Sequence, residues 1–272
     1  MDGAVSADWV LWQAEPSVLI GTAATCILYA HLTKKAEARG DGPSTGQRVA
    51  FVAAIAAVVV ALMSPLHALS DRYLFTAHMV QHLILTLAVA PLLLVSATPT
   101  MAAMVIPPIV QPALRMLTRP LIAYFLSNGV FVFWHLPTLY DGALRNHDIH
   151  IGQHLLFLVT ALFLWWPILS PLPAIPRSSF PIQLLYLFLQ VVPGSIIGGL
   201  IANTERPLYP FYAAADRIFP LSAVQDQQLG AIVMWVGGGT FFLLAFTIVF
   251  FRWAVIDSRS ERVPEIPPGT PL

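Results

Sequence analysis

Seven long apolar runs, nearly free of charge, constrain this chain more than any other feature. In hydrocarbon a backbone must satisfy its own N–H and C=O groups, and runs of this length do so as transmembrane helices. The composition agrees. Apolar residues make up 57% of the chain and charged residues only 10%, against about a quarter charged in soluble domains. Mean hydropathy is +0.73. The expected fold is an all-α polytopic membrane helix bundle, in one membrane domain over 16–252, with an external segment at 1–15 and a cytoplasmic tail at 253–272. No cleavable signal peptide is expected, because the first sixteen residues carry Asp2, Asp8 and Glu15 and no Lys or Arg.

The spans are expected near 16–31, 49–63, 75–97, 121–136, 149–168, 182–202 and 228–251. Pro91 should kink or end the regular part of the third, and Pro193 should bend the sixth. The Pro-interrupted segment 98–120 is too broken to span and reads as interfacial. Orientation follows from basic residues. Lys34, Lys35, Arg39, Arg48, Arg115, Arg119, Arg177, Arg252, Arg259 and Arg262 fall on one side, and Arg72, Arg145, Arg206 and Arg217 on the other. Ten against four makes the first side cytoplasmic and places the N-terminus outside. Trp134, Trp165, Trp166 and Trp253 stand at expected span ends and read as interfacial anchors.

Histidine placement then becomes informative. His78 and His82 are spaced i, i+4 in FTAHMVQHLILTLAVAP, and His150 and His154 repeat that spacing at the head of another span. On a helix, such a pair stacks two imidazoles on one face, close enough to share a metal ion. His67, His135 and His147 fall at the same membrane face, so seven of the eight histidines gather there and only His31 lies near the other. The topology argument used no histidine, so this coincidence is independent of it. His147, His150 and His154 form one stripe if their helix starts early. Asp71, His78 and His82 form another if theirs extends outward. Two facing stripes would supply two to four imidazoles, with Asp71 or Asp148 as an acceptor fixing a tautomer.

Imidazole suits copper, zinc, iron and nickel. Met63 and Met79 are possible thioether ligands that would favour Cu(I), although methionine in a membrane helix usually packs. The single cysteine, Cys26, excludes an intrachain disulfide and any paired-cysteine metal motif, and with His31 it reads as structural. Asp226 reads as an N-cap of the last span. A hydrolytic zinc site needs a carboxylate beside the first histidine, but Met79 and Ile151 stand there. No phosphate-binding loop, nucleophile elbow or dinucleotide fingerprint is present, and the basic residues are too few and scattered for nucleic acid. Three readings remain: a copper-handling protein, a b-type haem protein with one axial histidine from each pair, and a metal transporter. The last needs ligating groups across the whole bilayer depth, and in the sequence they stop near the outer third.

The blocks HMVQH with APLLL, WHLPTLYDGAL, the downstream H-x-x-x-H with WWP, and then PG, LYPFY and DQQLG leading into MW together resemble the multi-spanning CtaG family of bacterial cytochrome c oxidase assembly factors. The resemblance covers about 66–239. It implies a non-enzymatic, seven-span inner (plasma) membrane protein needed to build a haem–copper oxidase. The implied cargo is copper. The implied partners are the oxidase subunit carrying the buried copper centre and a periplasmic copper chaperone, in contact with the lipid bilayer. The matching positions are His78, His82, His135, His150, His154 and the block Asp226, Gln227 and Gln228. Two departures stand out. Gln153 takes a position that is acidic in the family pattern, and Ala231 and Gly237 to Gly239 differ from the pattern after DQQ.

Overall fold

The structure is a computed structural model in which residues 10–260 are described; Asp2 and Asp8 of the signal-peptide reading, Arg262 of the orientation argument, and most of the proposed external segment and cytoplasmic tail lie outside them. All regular structure among the described residues is helical. In chain order the helices are α1 (Pro16–Glu37), α2 (Thr45–Met63), α3 (Pro65–Arg72), α4 (Phe75–Ser96), α5 (Pro99–Val105), α6 (Gln111–Leu117), α7 (Pro120–Trp134), α8 (Pro137–Arg145), α9 (His147–Leu169), α10 (Phe180–Ala202), α11 (Pro210–Ala214) and α12 (Ala223–Ser258). Six of these are long and apolar enough to cross a membrane. The count rises to eight if the two bent pairs are each one span: Pro99–Val105 with Pro108–Leu117, bent by 80°, and α7 with α8, bent by 73°. The large apolar side chains left on the outside, such as Ile20, Ile27, Leu121 and Leu200, suit a surface solvated by lipid.

Local chemistry sets the helix starts. Ser44 and Ser222 each form a reciprocal capping box, with Gln47 and Gln225 three residues on. Asn146 accepts from the backbone N–H groups of Asp148 and Ile149, which fixes the start of α9 at His147. Asp226 is therefore not the N-cap of the last span. Ser222 fills that place, and Asp226 lies in the first turn of α12.

The kink expected at Pro91 takes the form of a wider turn. Residues Ile84–Val89 inside α4 are π-helical, and the Ala90 N–H reaches back to Leu85 O. In that register Thr86 O would need a donor from residue 91, but proline has no N–H. The indole Nε1 of Trp165 supplies it at 2.9 Å. Trp165 and Trp166 are accordingly not interfacial anchors. They are 2% and 5% exposed, within the main apolar core of α4, α9, α10 and α12. Indoles with satisfied N–H groups pack in a core as readily as they sit at an interface. Pro193 does not interrupt α10, which runs as one helix from Phe180 to Ala202.

α4 and α9, which carry the histidine pairs, pack directly against each other. α12 crosses the start of α4 so closely that a Cβ on Gly230 would lie 3.0 Å from Thr76 Cα and would strike the Phe75 ring. α1 stands apart. Its only buried residues, Thr33 and Ala36, lie near its far end.

Candidate metal centre

His78 and His82 lie on α4, one turn apart, and His150 and His154 lie one turn apart on the facing side of α9. One ring nitrogen from each falls within 4.8 Å of the other three. Ring centroids are separated by 4.2 Å for His78 and His82, 4.3 Å for His150 and His154, and 5.1 Å for His82 and His154. The first three histidines are buried and His154 is half-buried.

The hydrogen bonds around the cluster fix which nitrogens are free. Tyr212 Oη donates to Ser70 O at 2.6 Å, so the 2.9 Å contact with His78 Nδ1 requires the imidazole to donate. The proton of neutral His78 therefore sits on Nδ1, and Nε2 carries a lone pair. His150 has Nδ1 3.8 Å from Asp71 Oδ2, the same arrangement at longer range. Among buried side-chain atoms, His78 Nε2, both nitrogens of His82, His150 Nε2 and His154 Nε2 have no hydrogen-bond partner. Each unpartnered buried polar atom costs about 1–3 kcal/mol, and a cation between the rings would satisfy one nitrogen on each of the four at once, leaving one nitrogen of His82. A tetrahedral site with nitrogens about 2.0–2.1 Å from the ion has N–N edges of about 3.3 Å, so the longest separation here would close by about 1.5 Å. The donor set fits a borderline or soft transition metal ion. It does not fit a haem, since rings whose centroids lie 4.2–6.2 Å apart in five of the six pairs leave no slot for a macrocycle between α4 and α9.

Other residues singled out from the sequence fall around this group. His135 is separate from it. Its Nδ1 donates to Phe131 O at 2.7 Å, and its buried Nε2 has no partner. With His82 it lines a cavity of about 100 Å³ that also holds Ser127, Asn128, Thr160 and Gln190. Polar groups thus continue inward past the histidines, about 9 Å further along α9 at Thr160, so they do not stop at the outer third. Met79 lines that cavity but packs in the Phe75–Tyr140–Tyr209 core.

Asp71 does not share a helical stripe with His78, because the chain leaves helical geometry at Tyr73 and Leu74 between α3 and α4. It reaches the site from α3 instead, with Oδ1 3.4 Å from His67 Nδ1 and Oδ2 near His150. Gln81 fixes the tautomer of His67. The Gln81 amide donates to Ala61 O and to His67 Nδ1, which leaves the His67 proton on Nε2, 3.8 Å from Glu15. His147 opens α9 and is exposed, as is Asp148. Gln153 is 1% exposed and its Oε1 has no partner.

The DQQ block supports the cluster from a distance. Fully buried Asp226 accepts from the N–H groups of Phe75 and Thr76 at 2.8 and 3.1 Å. It therefore caps α4, the helix carrying His78 and His82, from a different helix. Gln227 accepts from Leu208 N and donates to Thr204 Oγ1, and Gln228 donates to Thr204 O. Together they tie down the loop after α10. Sequence reading missed the aromatic layer above His78, made of Phe75, Tyr140, Tyr209 and Tyr212, each at most 2% exposed. The LYPFY and LYDGAL blocks carry three of these rings, but nothing in their spacing announces that they meet.

Comparison with known proteins follows the same outline. Two curated relatives, uncharacterized proteins of Mycobacterium bovis and Mycobacterium tuberculosis, are each 24% identical over 239 residues, covering 81% of this chain and 36% of theirs. The chain spans about a third of the length of these relatives. No solved structure matches it. The model of the cytochrome c oxidase caa3 assembly factor family matches residues 27–255. That match takes in both histidine pairs, the aromatic layer and the buried DQQ block, and the chain is a multi-pass, all-helical member of the cytochrome c oxidase caa3 assembly factor (CtaG) family.

Proposed function

We propose that this protein holds a copper ion between His78, His82, His150 and His154 and passes it to the oxidase subunit that carries the buried copper centre. One observation carries the reading: four buried or half-buried imidazoles converge, each with an unpartnered ring nitrogen and no carboxylate among them. Neutral imidazole binds copper in either oxidation state, and the apolar surroundings shield a bound ion from water. The role is to hold and deliver, not to catalyse. Copper is the cargo, and a periplasmic copper chaperone is its proposed source. His135, Asp71, His67 and His147 are supporting residues in this reading, Asp226 caps the helix that carries His78 and His82, and Gln227 and Gln228 tie down the loop after α10.

The membrane in question is the inner (plasma) membrane. The chain crosses it seven times, with the histidine end outside and the basic end in the cytoplasm, as the distribution of Lys and Arg requires. The seventh crossing is α7.

The test is metal analysis of detergent-purified protein, wild type beside His78→Ala/His82→Ala, together with the copper content of the oxidase assembled in cells carrying each. Near-stoichiometric copper in the wild type, lost in the variant along with copper in the oxidase, is the expected result. Fully metallated oxidase in the variant strain would eliminate the delivery role.

A further inference from the structure

We propose that the ion reaches the four-histidine cluster sideways, through an acidic port between α1 and α9, with Glu15, His67 and Asp71 as its first holding position. This rests on the reading of the cluster as a metal site. The direct approach from the histidine end is closed. Phe75 stacks on Tyr209 with centroids 4.9 Å apart, Tyr209 lies against Tyr140 at 4.3 Å, and Tyr140 sits 5.2 Å from the His78 ring. Tyr209 Oη also donates to His135 O, and Tyr212 Oη to Ser70 O. An ion entering that way would have to part a buried, hydrogen-bonded aromatic layer.

The flank offers a different surface. A cavity of about 270 Å³ lies between α1, α2, α4 and α9, and both His150 and His154 line it. Its polar end holds Glu15, His67, Asp71 and His147, and its deeper walls are apolar. The polar groups form a sequence of short steps. Glu15 Oε1 lies 3.8 Å from His67 Nε2, His67 Nδ1 lies 3.4 Å from Asp71 Oδ1, and Asp71 Oδ2 lies 3.8 Å from His150 Nδ1. The two carboxylates are 24% exposed and the His150 side chain only 7%, so the steps lead from the more exposed groups to the buried cluster. Beyond them His150, whose buried Nε2 has no partner, lines the cavity.

Charge supports the same route. The cluster has no anionic ligand, and a cation in an apolar bundle needs a nearby countercharge. Asp71 is the carboxylate beside it. α1 suits a movable wall. It is pinned by Gln13 N to Met63 O at its start, and by Tyr29 stacking on Phe51 with its hydroxyl on Ser96 O farther down. The stretch between, where Val18, Thr22 and Thr25 line the cavity, has no buried residue.

The test follows Cu(I) loading of the detergent-purified full chain by anaerobic stopped flow against a chromophoric chelator. It compares wild type, Glu15→Gln, which removes a rim charge, and Val18→Trp, which fills the port. Both variants should load about fivefold more slowly than wild type and reach the same final stoichiometry. The wild-type rate should fall with added salt, and less of that dependence should remain in Glu15→Gln. Wild-type rates in both variants would overturn the port while leaving the cluster in place. A slower rate in Val18→Trp with no change in Glu15→Gln would overturn the carboxylate's part in capture. No Cu(I) bound by wild type at the endpoint would overturn the metal-site reading itself, and the port with it.

Discussion

Tyr212 is the residue on which the chemistry of His78 turns. Its hydroxyl proton is committed to Ser70 O, and its oxygen is left to accept from His78 Nδ1. This bond holds the ring in one orientation and one tautomer, with the Nε2 lone pair toward the other imidazoles. Replacing Tyr212 with Phe keeps the ring in the aromatic layer but releases both partners. Copper affinity should drop about 10- to 100-fold, the usual effect of removing a hydrogen bond to a metal-ligating histidine. The readout is competition with a Cu(I) chelator of known affinity, with helical content checked by circular dichroism. An unchanged affinity would mean that His78 is not a ligand or that its tautomer is set elsewhere.

At the scale of the helix, α4 is held at its start and its middle by side chains from other elements. Asp226 caps it through Phe75 N and Thr76 N, and Trp165 satisfies the carbonyl that the π-turn and Pro91 leave open. Trp165→Phe retains most of the packing and orphans Thr86 O, so it should destabilise the bundle by about 1–3 kcal/mol. Asp226→Ala removes two charge-assisted hydrogen bonds and should cost about 3 kcal/mol, with Asp226→Asn intermediate. Thermal melts in detergent check both, and a Trp165→Phe melt equal to wild type would refute the role given to the indole. These two contacts also mark the limit of what the sequence could reveal. The histidine pairs were legible because i, i+4 spacing is a property of one helix, and six of the seven expected spans were legible because apolar length is. Asp226 was assigned to its own helix, and Trp165 to the interface, because local pattern carries no information about a partner 150 or 79 residues away. The conditional stripe of Asp71 with His78 and His82 fails for a related reason. The break at Tyr73 and Leu74 has neither proline nor glycine to signal it.

For the whole molecule, the bonds between loops sort the polar segments into two ends without reference to charge. At one end Asp41 accepts from Thr100 N, Gln47 donates to Ala97 O, and Arg115 donates to Ala174 O. At the other, Arg217 donates to Tyr73 O, Phe211 N donates to Asp141, and Tyr209 Oη donates to His135 O. The two ends of α7 belong to different groups: Arg115 precedes it and His135 follows it. That connectivity supports α7 as the seventh crossing, although its 15 residues span only about 22 Å of a hydrocarbon core about 30 Å thick. Such a short helix implies local thinning of the bilayer or a buried position for its ends. The expected topology is checked by single cysteines placed in a Cys26→Ala background. Asp216→Cys should react with a membrane-impermeant maleimide in spheroplasts with a sealed inner membrane, whereas Glu37→Cys and Arg119→Cys should react only after that membrane is opened. Protection of Asp216→Cys until that membrane is opened, alongside Glu37→Cys and Arg119→Cys, would remove α7 from the crossings and make the number of spans even. Because the last span would then run the other way, the C-terminus would lie on the outer side, contrary to the distribution of basic residues.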